Sequence, residues 1–217
     1  MRTVSIPVGQ QTIEGDLILP ENAKAAVIFA HGSGSSRHSP RNKYVAGMLN
    51  LAGLATLLID LLAPEEELVD IRTAEHRFNI DLLADRLIAA TDWSAKDARL
   101  SDLSIGYFGA STGAAAALVA AAKRPERIRA VVSRGGRPDL ARDYLHKIAA
   151  PTLLIVGEFD SDVIALNRKA AGAMRASNLI RIVPGATHLF EEEGALEEVA
   201  DLAREWFEKN LIHRQAA

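Results

Sequence analysis

Residues 106–117 read Gly106-Tyr107-Phe108-Gly109-Ala110-Ser111-Thr112-Gly113-Ala114-Ala115-Ala116-Ala117. The apolar residues before Ser111 have the character of a buried strand, and the alanines after it have the highest intrinsic helix propensity. A serine placed where a strand turns sharply into a helix must take strained backbone angles, and neighbouring side chains would collide there. Gly109 and Gly113 flank Ser111 two residues away on either side, the G-x-S-x-G spacing that relieves such crowding. The small face of Ala114 to Ala117 lets the helix pack close beneath the turn, and its N-terminus aims free N–H groups at developing negative charge. The same residues would also suit an ordinary turn in which Ser111 or Thr112 caps a helix. The surrounding chain decides between the two.

Upstream, Val4, Ile6 and Val8, a Gly9-Gln10-Gln11 turn, then Ile13, Leu17 and Leu19 alternate with a period of two, the mark of an antiparallel hairpin with one buried face. Six short, nearly continuous apolar runs follow, at 25–32, 55–62, 103–110, 128–136, 151–158 and 179–185. Such runs suit strands buried on both faces of a parallel sheet. Helical patterns separate them: 41–53, 73–95, the alanine-rich segment from Ser111, 138–148, 162–176 and 194–212. Between the stretch 60–70 and the strand at 103 there is room for one long helix and for no separate lid. The fold expected is one doubly wound α/β domain over residues 1–217. Its sheet is mostly parallel and begins with the hairpin. In such sheets ligands sit beyond the carboxyl ends of the strands, so chemistry is sought in the residues that end each run.

Of the 217 residues, 48% are hydrophobic and 24% charged, the formal net charge is −3, and there is no cysteine. This suits one soluble domain. It excludes disulfides, thiolate zinc sites and a cysteine nucleophile, and it offers no basic stripe for nucleic acid. No apolar run approaches the roughly 20 residues needed to cross a bilayer. The opening MRTVSIPVGQ has no signal-peptide core. A cytoplasmic protein with no membrane partner is the expectation.

A serine hydroxyl needs a base, and the base an orienting acid. His188, in VPGATHLFEE, lies just past the final apolar run and so at the carboxyl edge; His76, His146 and His213 fall in helical patterns. Asp160 and Asp162 both follow the run that begins at Pro151, and spacing alone leaves either as the acid, the other capping the next helix. Asp60 also ends a run, with Arg72 or Arg77 as its candidate partner. The chain order Ser111, acid, His188 resembles that of α/β-hydrolases. Within that superfamily the whole chain is similar to the small, lidless dienelactone-hydrolase-like group. The resemblance implies an acid in a G-x-x-D-x-x-V pattern, which Gly157-Glu158-Phe159-Asp160-Ser161-Asp162-Val163 fits with Asp160. Dienelactone hydrolases proper use cysteine, where this chain has serine.

The segment after the third apolar-rich strand, His31-Gly32-Ser33-Gly34, resembles the H-G-x-G oxyanion loop of that superfamily. Its expected donors are the N–H of Thr112 with that of Ser33 or Gly34. Arg37, Arg41, Arg134 and Arg137 recur at the same edge and are candidate receivers of a substrate carboxylate or phosphate. The reading is a serine hydrolase of small soluble esters or thioesters, with Ser111, Asp160 and His188 as its triad and no metal or organic cofactor. A non-catalytic binding domain of this fold and an acyltransferase are the alternatives.

Overall fold

A computed structural model describes residues 1–212. Eight strands form one sheet in the order β1-β2-β4-β3-β5-β6-β7-β8. The hairpin β1 (Arg2–Val8) and β2 (Gln11–Ile18) pairs antiparallel, and β2 joins β4 (Leu54–Ile59) antiparallel. Every other pairing, among β3 (Ala25–Ala30), β4, β5 (Ser104–Ala110), β6 (Ile128–Arg134), β7 (Thr152–Gly157) and β8 (Asn178–Val183), is parallel. Helices α1 (Pro40–Leu51) and α6 (Ala195–Phe207) cover one face. The other face is covered by α3 (Ile80–Ser94), α4 (Thr112–Lys123) and α5 (Ser161–Ala173). The central strands β3, β4 and β7 are buried along their whole length, as continuous apolar runs require. Strand β8 departs from that expectation: only its last residue, Val183, is fully buried, because it is an edge strand with one neighbour.

Two segments differ from the expected helices. Residues 64–73 form a helix, α2 (Pro64–Thr73), where none is expected, and α3 begins at Ile80 instead of near residue 73. Pro64 and the bond from the Ala63 N–H to the Glu66 carboxylate start α2. It ends at Ala74, which is left-handed at φ 55°. The buried Asp70 then takes the backbone N–H groups of His76 and Arg77, so His76 lies in the break. Residues 138–148 hold two 3-10 turns, Pro138–Ala141 and Leu145–Lys147, where a helix is expected. The spacing Ala141, Leu145, Ile148 reads as a helical face, and the turns bury these same three side chains. His213 lies outside the described residues.

Because β3, β5, β6 and β7 run parallel, their carboxyl ends meet along one edge of the sheet, past a register shift between Ile105 and Gly106 in the β5–β6 pairing. Ala30 pairs with Gly109 and Ala110 with Arg134. The described residues include no helix long and apolar enough to cross a membrane.

Candidate active site

Ser111 sits between β5 and α4 at φ 50°, ψ −118°. A side chain in that region costs about 1–3 kcal/mol and persists only where the surroundings over-determine it. Here they do. The Ser111 N–H donates to the Arg134 carbonyl at 3.1 Å, and its own carbonyl accepts from the N–H groups of Ala114 and Arg137. A Cβ at Gly109 would overlap the backbone of Ala114, and one at Gly113 would overlap the carbonyls of Ala30 and His31, so both positions exclude any larger residue. Ser111 occupies the N-cap position but makes no capping bond with its side chain, and Oγ has no hydrogen-bond partner among the described residues. The hydroxyl is held clear of the turn that carries it.

His188 comes from the loop between β8 and α6, and its Nδ1 lies 2.5 Å from Oδ2 of Asp160. Asp162 is exposed in the first turn of α5. The acid and histidine loops are docked by backbone: Phe159 N–H donates to the Ala186 carbonyl, and Gly185 N–H to the Glu158 carboxylate at 2.7 Å. A Cβ at Gly157 would come within 2.5 Å of the carbonyls of Ala186 and Thr187, so this close approach needs glycine. Sequence patterning does not show that role. His188 and Ser111 line one cleft of about 250 Å3, together with Gly32, Ser33, Ser35, Arg41 and Arg134.

The H-G-x-G loop divides between two tasks. His31 is structural: its Nε2 accepts from the Leu61 N–H at 3.1 Å, Nδ1 faces the Gly32 carbonyl, and burial lowers its pKa below the ordinary histidine value. The Ser33 N–H donates to Oγ1 of Thr112 at 2.9 Å, which ties the loop to the first turn of α4. Thr112 itself opens α4, where backbone N–H groups have no intrahelical acceptor. Gly34 does not line the Ser111 cleft; it borders a neighbouring hollow with Arg77 and Asp70.

The four arginines separate. Arg37 is held by three carboxylates: Asp60, Glu14 at 2.6 Å and Asp16 at 3.6 Å. This corrects the expectation of Arg37 as a substrate receiver, since its charge is consumed internally. It also corrects Asp60, whose partner is Arg37, while Arg77 pairs with Asp70. Arg137 makes two bonds of 2.8 Å to its near neighbour Asp139 and is likewise engaged within the chain. Arg41 reaches Glu191 at 2.6 Å through one nitrogen, with Nε buried and unpartnered. Arg134 is 7% exposed, and its Nη1 is buried without a partner. Burial, then the nearby Arg41 cation, lower its pKa to about 10. A larger hollow of about 530 Å3, between Leu145 and Ala170, brings no nucleophile or histidine together.

The chain matches the dienelactone hydrolase family over residues 13–211. It is 58% identical to a dienelactone hydrolase from Anabaena variabilis, with a TM-score of 0.95 and 97% of each chain covered. Two Mycobacterium tuberculosis proteins, each bearing the name "putative phosphoribosyl transferase", are 55% identical to it over 208 residues. That match covers 96% of this chain but 46% of theirs, so the chain spans about half the length of these curated relatives. The α/β hydrolase GrgF from a Penicillium species shares the fold at 13% identity, with a TM-score of 0.82 and 97% and 98% of the two chains covered.

Proposed function

The chain belongs to the dienelactone hydrolase family and has the α/β-hydrolase fold, and from that premise we propose that it is a serine hydrolase of small esters or thioesters. One observation carries the reading: a serine held at φ 50° with its hydroxyl unbonded lines the same cleft as a histidine whose Nδ1 faces a carboxylate at 2.5 Å. Strain of this kind needs a use, and holding out a nucleophile is one.

In the reaction proposed, Asp160 holds the Nδ1 proton and fixes the tautomer, so Nε2 of His188 presents its lone pair to Ser111. As Oγ attacks the carbonyl carbon, its proton passes to Nε2 and the carbonyl electrons move onto oxygen. That oxyanion is received by the N–H of Thr112, and by the N–H of Ser33 once the Thr112 hydroxyl rotates aside. Each such donor contributes about 3 kcal/mol to the transition state. His188 returns its proton to the departing alcohol or thiol, leaving an acyl-enzyme. Water, deprotonated by the same nitrogen, then releases the acid and restores Ser111. The steps require no metal or organic cofactor, and a cleft of about 250 Å3 favours small acyl groups.

The test is turnover of p-nitrophenyl acetate and butyrate by the parent, Ser111→Ala and His188→Ala proteins, with fluorophosphonate labelling. Turnover and labelling that both vanish in Ser111→Ala support the reading. Only residual turnover near the uncatalysed rate, unchanged in Ser111→Ala and without labelling, would favour a non-catalytic binding domain. Ester formation with an added alcohol would favour an acyltransferase.

The name of the mycobacterial relatives raises a second reading, phosphoribosyl transfer. The chain matches less than half of their length, and its cleft is lined by the serine and histidine on which the hydrolase reading rests. We therefore assign the transferase chemistry to the part of those proteins that this chain does not match. Release of diphosphate from a phosphoribosyl donor by this protein would reverse that assignment.

A further inference from the structure

Arg134 is the one buried arginine that the fold leaves without an acid among the described residues. The other two close to full burial are paired: Arg37 with Glu14, Asp16 and Asp60, and Arg86 with Glu66 at 2.5 Å. Arg134 has no carboxylate within ion-pair distance, its Nη1 is buried and unpartnered, and the charge that acts on it is a second cation, Arg41. A buried guanidinium with no acid to pair it and a second, partly exposed cation nearby is costly. The placement is also specific. Arg134 and Ser111 are joined through backbone at 3.1 Å, so the guanidinium and the nucleophile leave neighbouring strand ends into one cleft.

Beside Ala110 and Leu189, several polar residues line the same wall. The twelve-residue helix α1 begins there, with Ser39 as its N-cap, its Oγ taking the Asn42 N–H, and Arg41 in its first turn. Its positive end therefore faces the same space, as anion sites at helix N-termini do. Ser33, Ser35 and Ser39 line the cleft beside it. Glu191, which holds one nitrogen of Arg41, is largely exposed and free to yield its place to a ligand.

We propose that Arg134 and Arg41, with the N-terminus of α1 and these serines, form a phosphoryl subsite in the nucleophile cleft, so that the substrate is an ester carrying a phosphate group. This deepens the hydrolase reading and rests on it for the position of the scissile bond. The donors decide between anions. Two guanidiniums and a helix end with serines beside them exceed what the two oxygens of a carboxylate take up, and they match the three oxygens and double charge of a phosphoryl group.

The test is calorimetric titration of inorganic phosphate and, separately, acetate into the Ser111→Ala protein, where no turnover interferes. The same titrations are repeated with Arg134→Met, Arg134→Lys and, as a remote control, Arg142→Gln added. We expect one phosphate per chain, bound at least about tenfold more tightly than acetate. Losing a desolvated charge-assisted contact should weaken it by about tenfold or more in Arg134→Met and less in Arg134→Lys, with Arg142→Gln like the parent. Phosphate should also slow fluorophosphonate labelling of Ser111 in the otherwise unaltered protein. Absent binding, equal affinity for acetate, or affinity unchanged by Arg134→Met would each overturn the subsite. Ester turnover by the unaltered protein reports separately on the hydrolase reading: phosphate bound through Arg134 without turnover would sink that reading and leave the subsite standing.

Discussion

Arg37 and Arg134 both lie at the carboxyl edge of the sheet and both are largely buried, yet their surroundings are opposite. Arg37 is encircled by Glu14, Asp16 and Asp60 on the β2–β4 side. Arg134, on the β5–β6 side, faces another arginine. The contrast extends to the neighbours of each. Near Arg37, His31 is satisfied by the Leu61 N–H and Asp70 by Arg77 and two backbone N–H groups. Arg134 is itself unpartnered, and beside it stands a strained serine whose hydroxyl is unbonded. Charge balanced internally holds a fold together, whereas strain and unpaired charge gathered in one cleft mark where the molecule meets something else.

If that division is right, changes on the β5–β6 side should remove activity and spare stability, and changes on the Arg37 side the reverse. The largest effect is expected for Ser111→Ala: kcat/KM for p-nitrophenyl butyrate should fall by about 10⁴-fold, some 5.5 kcal/mol of transition-state stabilisation. Its melting temperature should hold to within about 2 °C in calorimetry. Asp160→Asn comes close behind, with kcat down by about 10⁴-fold in the same assay, because the imidazole loses its fixed tautomer. Arg37→Met should instead cost about 3 kcal/mol in chemical denaturation by leaving three carboxylates facing one another, with kcat within about twofold of the parent. A large loss of kcat with stability intact would break the division.

Asp70→Asn sharpens it through pH. Burial raises the pKa of Asp70, but bonds from the backbone and guanidinium of Arg77 and from the His76 N–H outweigh that and hold it below the usual carboxylate value. A depressed folded-state pKa stabilises fully above the unfolded value of about 3.9 and is lost as pH falls through the folded one. The variant should therefore be weaker by about 2 kcal/mol at pH 7, and the gap should close steadily below about pH 4 in denaturant titrations. The smallest effect distinguishes two ways of removing the nucleophile. Glycine tolerates φ 50°, ψ −118° and alanine does not, so Ser111→Gly should be about 1 kcal/mol more stable than Ser111→Ala.

Much of this was legible in the sequence, and for identifiable reasons. Period-two alternation at Val4, Ile6 and Val8 and the six apolar runs fall on strands, because burial on one face or two leaves direct patterns. The G-x-S-x-G stretch falls on a strand-to-helix turn for a steric reason that its glycines carry openly. The two helices at 60–95 and the turns at 138–148 were less legible. Periodicity registers which side chains point inward, and a 3-10 turn and an α-helix can bury the same three residues. The roles of the arginines were hidden altogether. Arg37 and Arg134 both lie at the ends of apolar runs, and what separates them is whether acids from β2 and the end of β4 or another arginine fold against them. That is a property of sheet order, 2-4-3-5-6, which no local spacing states.

The most direct test of the central claim is mass spectrometry of the protein quenched in acid during turnover of p-nitrophenyl acetate. The account predicts a mass gain of one acetyl group, located by peptide mapping on Ser111, absent in Ser111→Ala and accumulating in His188→Ala only slowly. An acetyl group found on another residue, or retained in Ser111→Ala, would contradict it.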